Sequence, residues 1–189
     1  MNVYDFDGTV RRGDTSADFF LFELRRHPSI LLGLPRTAVR FLSYKLGRIP
    51  LTDFKSTFFS FLRRVPDVDA DLELFRKKNE NCLDAWYLAG ARPDDVIITA
   101  SPEFLVAPLC PPGVTVIGTL ADKKTGVISG LNCKGEEKVA RLRAALGEEA
   151  LSAIECFYSD SLSDTPLALL ARDAFLVSKK CVLSPWPRA

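Results

Sequence analysis

From residue 14 to residue 90 the chain offers only helical patterns, yet it begins with a short apolar strand and alternates strand-like with helix-like segments from residue 95 onward. That layout restricts the fold to an α/β class: a mostly parallel sheet flanked by helices on both faces, with a helical block inserted between the first and second strands. Residues 1–13 and 91–189 are therefore read as the core domain, and residues 14–90 as the inserted helical one. A sheet of this kind places its ligand site beyond the carboxyl ends of its strands. Asp5, Thr99 and Asp160 all fall there.

Within the block, Thr15 or Ser16 is expected to cap a helix that runs through Phe19, Phe20, Phe22 and Leu24 and stops before Pro28. Residues 30–46 read as a helix kinked or broken at Pro35, residues 52–65 as a phenylalanine-rich helix, and residues 69–88 as one long amphipathic helix. Further on, strands are expected at 95–99, 114–120, 127–131, 154–158 and 174–177. Helices are expected at 103–109, 136–146 and 165–171, with a turn at Lys124-Thr125-Gly126.

Asp5 and Asp7 end the first strand one residue apart and are followed by Gly8. Side chains i and i+2 share a side of an extended chain, so the two carboxylates converge on one small volume. Convergent carboxylates bind a hard cation such as Mg²⁺, which screens an anionic phosphate so that one carboxylate can attack while the other handles the proton. The bland alternative is a solvated turn.

Three further stations follow in order. Thr99-Ala100-Ser101 ends an apolar strand just before a helix, where hydroxyls and free N–H groups can hold phosphate oxygens or simply cap the helix. Thr99 is the preferred phosphate contact, with Ser101 the alternative through its hydroxyl or backbone. Lys138 stands in the first turn of a helix, against the dipole preference for acids, and is either solvated or held to meet an anion. Asp160 and Asp164 form a second acidic pair in a loop after a strand, where a capping role for Asp164 is the simpler reading.

In this order and at this spacing, DFDGT, the hydroxyl-ended strand, the isolated lysine and DxxxD resemble the haloacid dehalogenase superfamily over essentially the whole chain. The resemblance implies a Rossmann-like core and an aspartyl-phosphate formed on Asp5, with Asp7 as general acid and base. It also implies Mg²⁺ held by Asp5, the Asp7 carbonyl and Asp160, with Asp164 supporting the metal shell. Thr99, Ala100 and Ser101 would bind phosphate, and Lys138 would neutralise phosphate and nucleophile. An acid at position 7 goes with phosphatases and phosphotransferases rather than dehalogenases.

The helical insert looks like the type 1 (C1) cap of the phosphoserine phosphatase-like branch, subfamily IB. Residues 98–106, 132–139 and 158–161 are similar to the bacterial subgroup that includes a phosphatidylglycerophosphate phosphatase, although Arg36, Arg40 and Lys45 interrupt the insert. The expected substrate is a small phosphorylated metabolite or a lipid headgroup phosphate. A phosphotransferase and a non-catalytic phospho-ligand binding protein are the alternatives.

Composition narrows the partners. Lysine and arginine number 25 against 24 acids, so overall charge gives no argument for nucleic acid. Locally, nine basic residues from Arg25 to Arg64 face only Glu23 and Asp53, which favours an anionic substrate or surface. The phenylalanines of the insert read as packing, or with those basic residues as a peripheral contact with anionic lipid.

Five scattered cysteines without a CxxC pair suggest reduced thiols, and Cys133 reads as structural. Only four residues precede Asp5 and no apolar run reaches membrane-span length, so a cytoplasmic location is expected. The single histidine, His27, sits in a helix-end composition and reads as structural or solvated. A His base, a His-liganded metal and a Ser-His-Asp triad are accordingly set aside.

Overall fold

The computed structural model describes residues 1–187. Six strands form one sheet: β1 (Val3–Tyr4), β2 (Val96–Pro102), β3 (Thr115–Thr119), β4 (Cys156–Ser159), β5 (Asp173–Val177) and β6 (Leu183–Pro185). Their order across the sheet is β3-β2-β1-β4-β5-β6, parallel throughout except that β6 runs antiparallel to β5. Between β1 and β2 lie α1 (Thr15–Arg26), α2 (Leu34–Lys45), α3 (Leu51–Phe59), α4 (Val68–Lys78) and α5 (Ala85–Gly90). The later helices are α6 (Glu103–Val106), α7 (Glu136–Leu146), α8 (Glu148–Ser152) and α9 (Thr165–Ala168). No helix among the described residues is long and apolar enough to cross a membrane.

β1 is short and enclosed on both sides: Val3 aligns with Val96 and Phe157, and Tyr4 with Ile97 and Tyr158. Period-two alternation then assigns neighbours to opposite faces. Val3, Val96, Ile98 and Phe157 pack with Val139 and Leu142 of α7, Leu151 of α8 and Leu167 of α9. Tyr4 and Ile97 face the other way, into a cluster with Tyr87 of α5, Leu105 of α6 and the block's Phe19, Phe59, Phe61 and Phe75. That second cluster runs without interruption from the sheet into the helical block. Burying each such side chain contributes about 1.5–3 kcal/mol.

Several boundaries differ from the sequence expectation. The cap of α1 is Asp14, whose carboxylate accepts from the Ala17 N–H at 2.9 Å, while Thr15 is already helical. Pro35 opens α2 instead of kinking it, because a first-turn proline loses no hydrogen bond. The long helix expected over 69–88 is two helices. α4 ends at Asn79, whose side chain donates back to the Phe75 carbonyl, and the segment beyond runs alongside the loop after β1. There Leu83 bridges Arg11, and the Asp84 N–H donates to the Val10 carbonyl at 2.8 Å.

Residues 127–131 form no strand. The turn at Lys124-Thr125-Gly126 exists, but its arms pair in a single bridge, Ala121 with Ile128, and the Ile128 N–H is taken by Ser56 Oγ of α3. β6 and α8 carry no clear sequence signal: all three β6 residues are exposed, and α8 begins only because Gly147, at φ +86°, ends α7.

Candidate active site

Beyond β1 the chain turns back on itself: the Phe6 carbonyl accepts from the N–H groups of Thr9, Val10 and Arg11. The turn requires φ +78° at Gly8, and a Cβ there would stand 2.2 Å from Asp160 Oδ2. Glycine is therefore needed twice, for the conformation and to let the Asp160 carboxylate lie against the loop. Asp160 is fixed from its backbone, its N–H donating to Thr9 Oγ1 at 3.0 Å.

Asp5 faces Lys138. A helical side chain leans toward the N-terminus of its helix, so Lys138 in the first turn of α7 reaches past the helix start. Its Nζ donates to Asp5 Oδ1 and to Asp164 Oδ2, each at 2.7 Å, with only 1% of the lysine exposed. Asp164 is oriented by Ser159 Oγ at 2.9 Å and by the Gly135 N–H at 3.2 Å. Burial works against the Lys138 charge, but Asp5 and Asp164 outweigh it and hold the ammonium protonated. Burial also pushes the Asp5 carboxyl up to about 6, opposed by Lys138 and supported by Asp164 and Asp160.

Asp7 is held by different partners. One carboxylate oxygen accepts from the Thr15 N–H at 2.8 Å and from the Thr15 hydroxyl; the other accepts from Ser101 Oγ at 2.6 Å. Ser101 Oγ also lies 3.0 Å from Ser16 Oγ. Burial raises the Asp7 carboxyl above the ordinary carboxylate range, with the Ser101 and Thr15 hydrogen bonds pulling the other way. Between Ile98 and Pro102 the register of β2 shifts against β3, and in that irregularity the Ser101 N–H donates to Thr99 Oγ1 at 3.1 Å. Thr99 therefore keeps its own hydroxyl proton to donate, whereas Ser101 spends its proton on Asp7.

All eight residues singled out from the sequence, Asp5, Asp7, Thr99, Ala100, Ser101, Lys138, Asp160 and Asp164, line one cleft of about 410 Å³. Residues that sequence reasoning had not assigned to the site share its wall, among them Ser16, Phe58, Lys55 and Lys134. Lys55 comes from α3 and donates to the Ala100 carbonyl at 2.8 Å. Burial lowers its pKa to about 8, with Asp14 and Asp7 opposing. Nothing in the sequence separates Lys55 from the other basic residues of the insert except its place among Phe54, Phe58 and Phe59, which line the same cleft.

The donor set facing the cleft suits a hard cation. It is all oxygen, and Asp160 is raised by burial and by its acidic neighbours Asp164 and Asp7, with Lys138 and a backbone hydrogen bond opposing. The Asp7 carboxylate is engaged by Thr15 and Ser101, so the loop's contribution to a cation would come from a carbonyl. Among the described residues, the one trio of ligating side chains with donor atoms within 4.8 Å of one another is Glu23, His27 and Asp71, none of which lines this cleft.

A model of the haloacid dehalogenase-like hydrolases matches residues 3–169. The chain is 28% identical over 188 residues to Protein CicA of Caulobacter vibrioides, strain NA1000 / CB15N, covering 89% of this chain and 82% of that one. A solved structure of a protein with unknown function from Bordetella pertussis Tohama I superposes with a TM-score of 0.71 at 22% identity, over 92% of this chain and 87% of its own. A phosphoserine phosphohydrolase-like protein from Francisella tularensis subsp. tularensis SCHU S4 superposes with a TM-score of 0.50 at 14% identity, over 92% and 86%.

Proposed function

Since the chain belongs to the haloacid dehalogenase-like hydrolases, we propose that it is a Mg²⁺-dependent phosphomonoesterase working through an aspartyl-phosphate on Asp5. The observation that carries this reading is the cleft that gathers all eight residues around the Asp5–Lys138 contact. Lys138 anchors one oxygen of Asp5, leaving the other to attack phosphorus. Thr99 donates its free hydroxyl proton to a phosphate oxygen. Asp7, its carboxyl raised by burial, gives a proton to the leaving oxygen and later takes one from the attacking water.

Asp5, the Asp7 carbonyl and Asp160, with Asp164 behind them, would hold Mg²⁺, which when bound screens the negative charge of phosphate and carboxylate. Helices α1 to α5 act as the cap in this reading. Phe54 and Phe58 offer an apolar wall and Lys55 a cation, which fits a phosphomonoester carrying apolar surface and a second anionic group. A lipid headgroup phosphate meets that description, and a specific observation favours it. α2 buries none of its residues, Val39 of α2 and Leu32 of the preceding turn are 65% and 73% exposed, and the same segment carries exposed Arg36, Lys45 and Arg48.

Phosphate release from a panel of phosphomonoesters, with Mg²⁺ and with EDTA, tests the activity beside Asp5→Asn. Turnover that needs Mg²⁺ and disappears in a folded Asp5→Asn protein is expected. Substantial activity in that variant would exclude Asp5 as the nucleophile, and consumption of the phosphomonoester that needs an acceptor alcohol and yields the phosphorylated alcohol in place of free phosphate would assign a phosphotransferase instead.

A further inference from the structure

Away from the cleft, the C-terminal turn of α1 carries Glu23 and, one helical turn on, His27 on the same face. Asp71 of α4 meets them. His27 Nε2 lies 2.7 Å from Asp71 Oδ2 and 3.6 Å from Glu23 Oε2, and one ligand atom from each of the three lies within 4.8 Å of the others. Arg26 takes the remaining Asp71 oxygen, Oδ1, through Nε at 3.0 Å and Nη2 at 2.7 Å, so Oδ2 is left turned to the histidine.

Glu23 is the anomaly. Its exposure is 0%, and both of its carboxylate oxygens are buried without a hydrogen-bond partner. Such a group persists only if a proton or a cation compensates its charge. Burial, with Asp71 beside it, pushes the carboxyl up to about 8.

We propose that Glu23, His27 and Asp71 bind a divalent transition-metal ion of the Zn²⁺ type. The ligand chemistry separates this site from the all-oxygen cleft. One imidazole nitrogen with two carboxylates suits Zn²⁺, while Mg²⁺ demands a near-ideal octahedron of oxygens. Metal–ligand bonds of about 2.1 Å in a tetrahedron set neighbouring ligand atoms about 3.4 Å apart. The observed 2.7 and 3.6 Å lie on either side of that value, so His27 and Asp71 would separate by about 0.7 Å and His27 and Glu23 close by about 0.2 Å, with all three ligand atoms already within 4.8 Å of one another. His27, with 21% of its side chain exposed, is the member of the trio open to solvent, the side from which the ion and a water as fourth ligand would come.

The ion would tie the end of α1 to α4. The start of α1 is Thr15, which holds Asp7, so the site would brace the helix that carries a cleft contact without taking part in the reaction. A lone histidine is no obstacle, because the set needs only one imidazole. The three ligands are separated by up to 48 residues in the chain, and no spacing rule joins them.

The test uses the full chain stripped with EDTA and then given Zn²⁺ alone, Co²⁺ alone, or either ion with excess Mg²⁺. Saturating Zn²⁺ should raise the melting temperature by about 5 °C or more. The rise should survive excess Mg²⁺ and Asp5→Asn, and be lost in Glu23→Gln and in His27→Gln. Co²⁺ should give a visible absorption band that vanishes in His27→Gln. If Glu23→Gln fails to fold, the part-exposed His27→Gln keeps the test intact. An unchanged melting temperature, or a Co²⁺ band that depends on Asp5 and not on His27, would overturn the assignment. It would leave Glu23 protonated and hydrogen-bonded to Asp71, with any bound ion in the cleft.

Discussion

At the scale of single residues, Lys55 combines an unusual charge state with an unusual position. Its ammonium is drawn out of water beside the Ala100 carbonyl, and its pKa is lowered to about 8 by burial. If Lys55 meets an anionic group of the substrate, kcat/KM should fall as pH rises through about 8, because the free enzyme loses that charge there. Lys55→Met should abolish the step and raise KM about tenfold at neutral pH, the loss of one charge-assisted contact. A pH profile of kcat/KM identical in the two proteins would remove Lys55 from substrate binding. Asp5 and Asp7 were legible because alternate residues of an extended chain share a side. Lys55 was not, since its approach depends on how α3 lies across β2.

At the scale of elements, α2 is a helix that buries none of its residues. It leans on α3 through Phe41 and Tyr44, whose rings lie 5.3 and 5.7 Å from that of Phe54, and through Arg40, which pairs with Asp53, while Arg36, Val39 and Leu42 are exposed. On an anionic bilayer each nearby basic residue contributes about 1 kcal/mol. The Arg36→Gln, Lys45→Gln, Arg48→Gln triple variant should therefore bind anionic vesicles about 100-fold more weakly at low salt, as read by cosedimentation. Equal binding by both proteins, or none by the wild type, would make this face an ordinary solvated one.

Element boundaries show where local pattern gave way. Residues 69–88 have the periodicity of one helix, but the loop after β1 offers Leu83 and Asp84 backbone partners that a continuous helix could not use. Likewise, Ile128 gives its N–H to Ser56 rather than to a neighbouring strand.

At the scale of the whole molecule, the apolar cluster on one sheet face continues from Tyr4 and Ile97 into the phenylalanines between β1 and β2. Phe19 is fully buried there, its ring 5.1 Å from that of Phe75 and 6.2 Å from that of Phe61. Phe19→Ala should cost about 3–5 kcal/mol, and denaturant unfolding should remain one transition by near- and far-ultraviolet circular dichroism. Two separated transitions would mean that the helical block has a core of its own.

Legible along the chain were the α/β class, the order of the acidic, hydroxyl and lysine stations, and the strand ends that carry them. These follow from periodicity and chain order, which are local. That Thr15 and Ser101 hold Asp7, that Lys55 reaches the cleft, and that Glu23, His27 and Asp71 meet is visible only in the folded chain. Each of those contacts joins residues from different elements, and their approach is fixed by packing against a shared core rather than by any pattern along the chain.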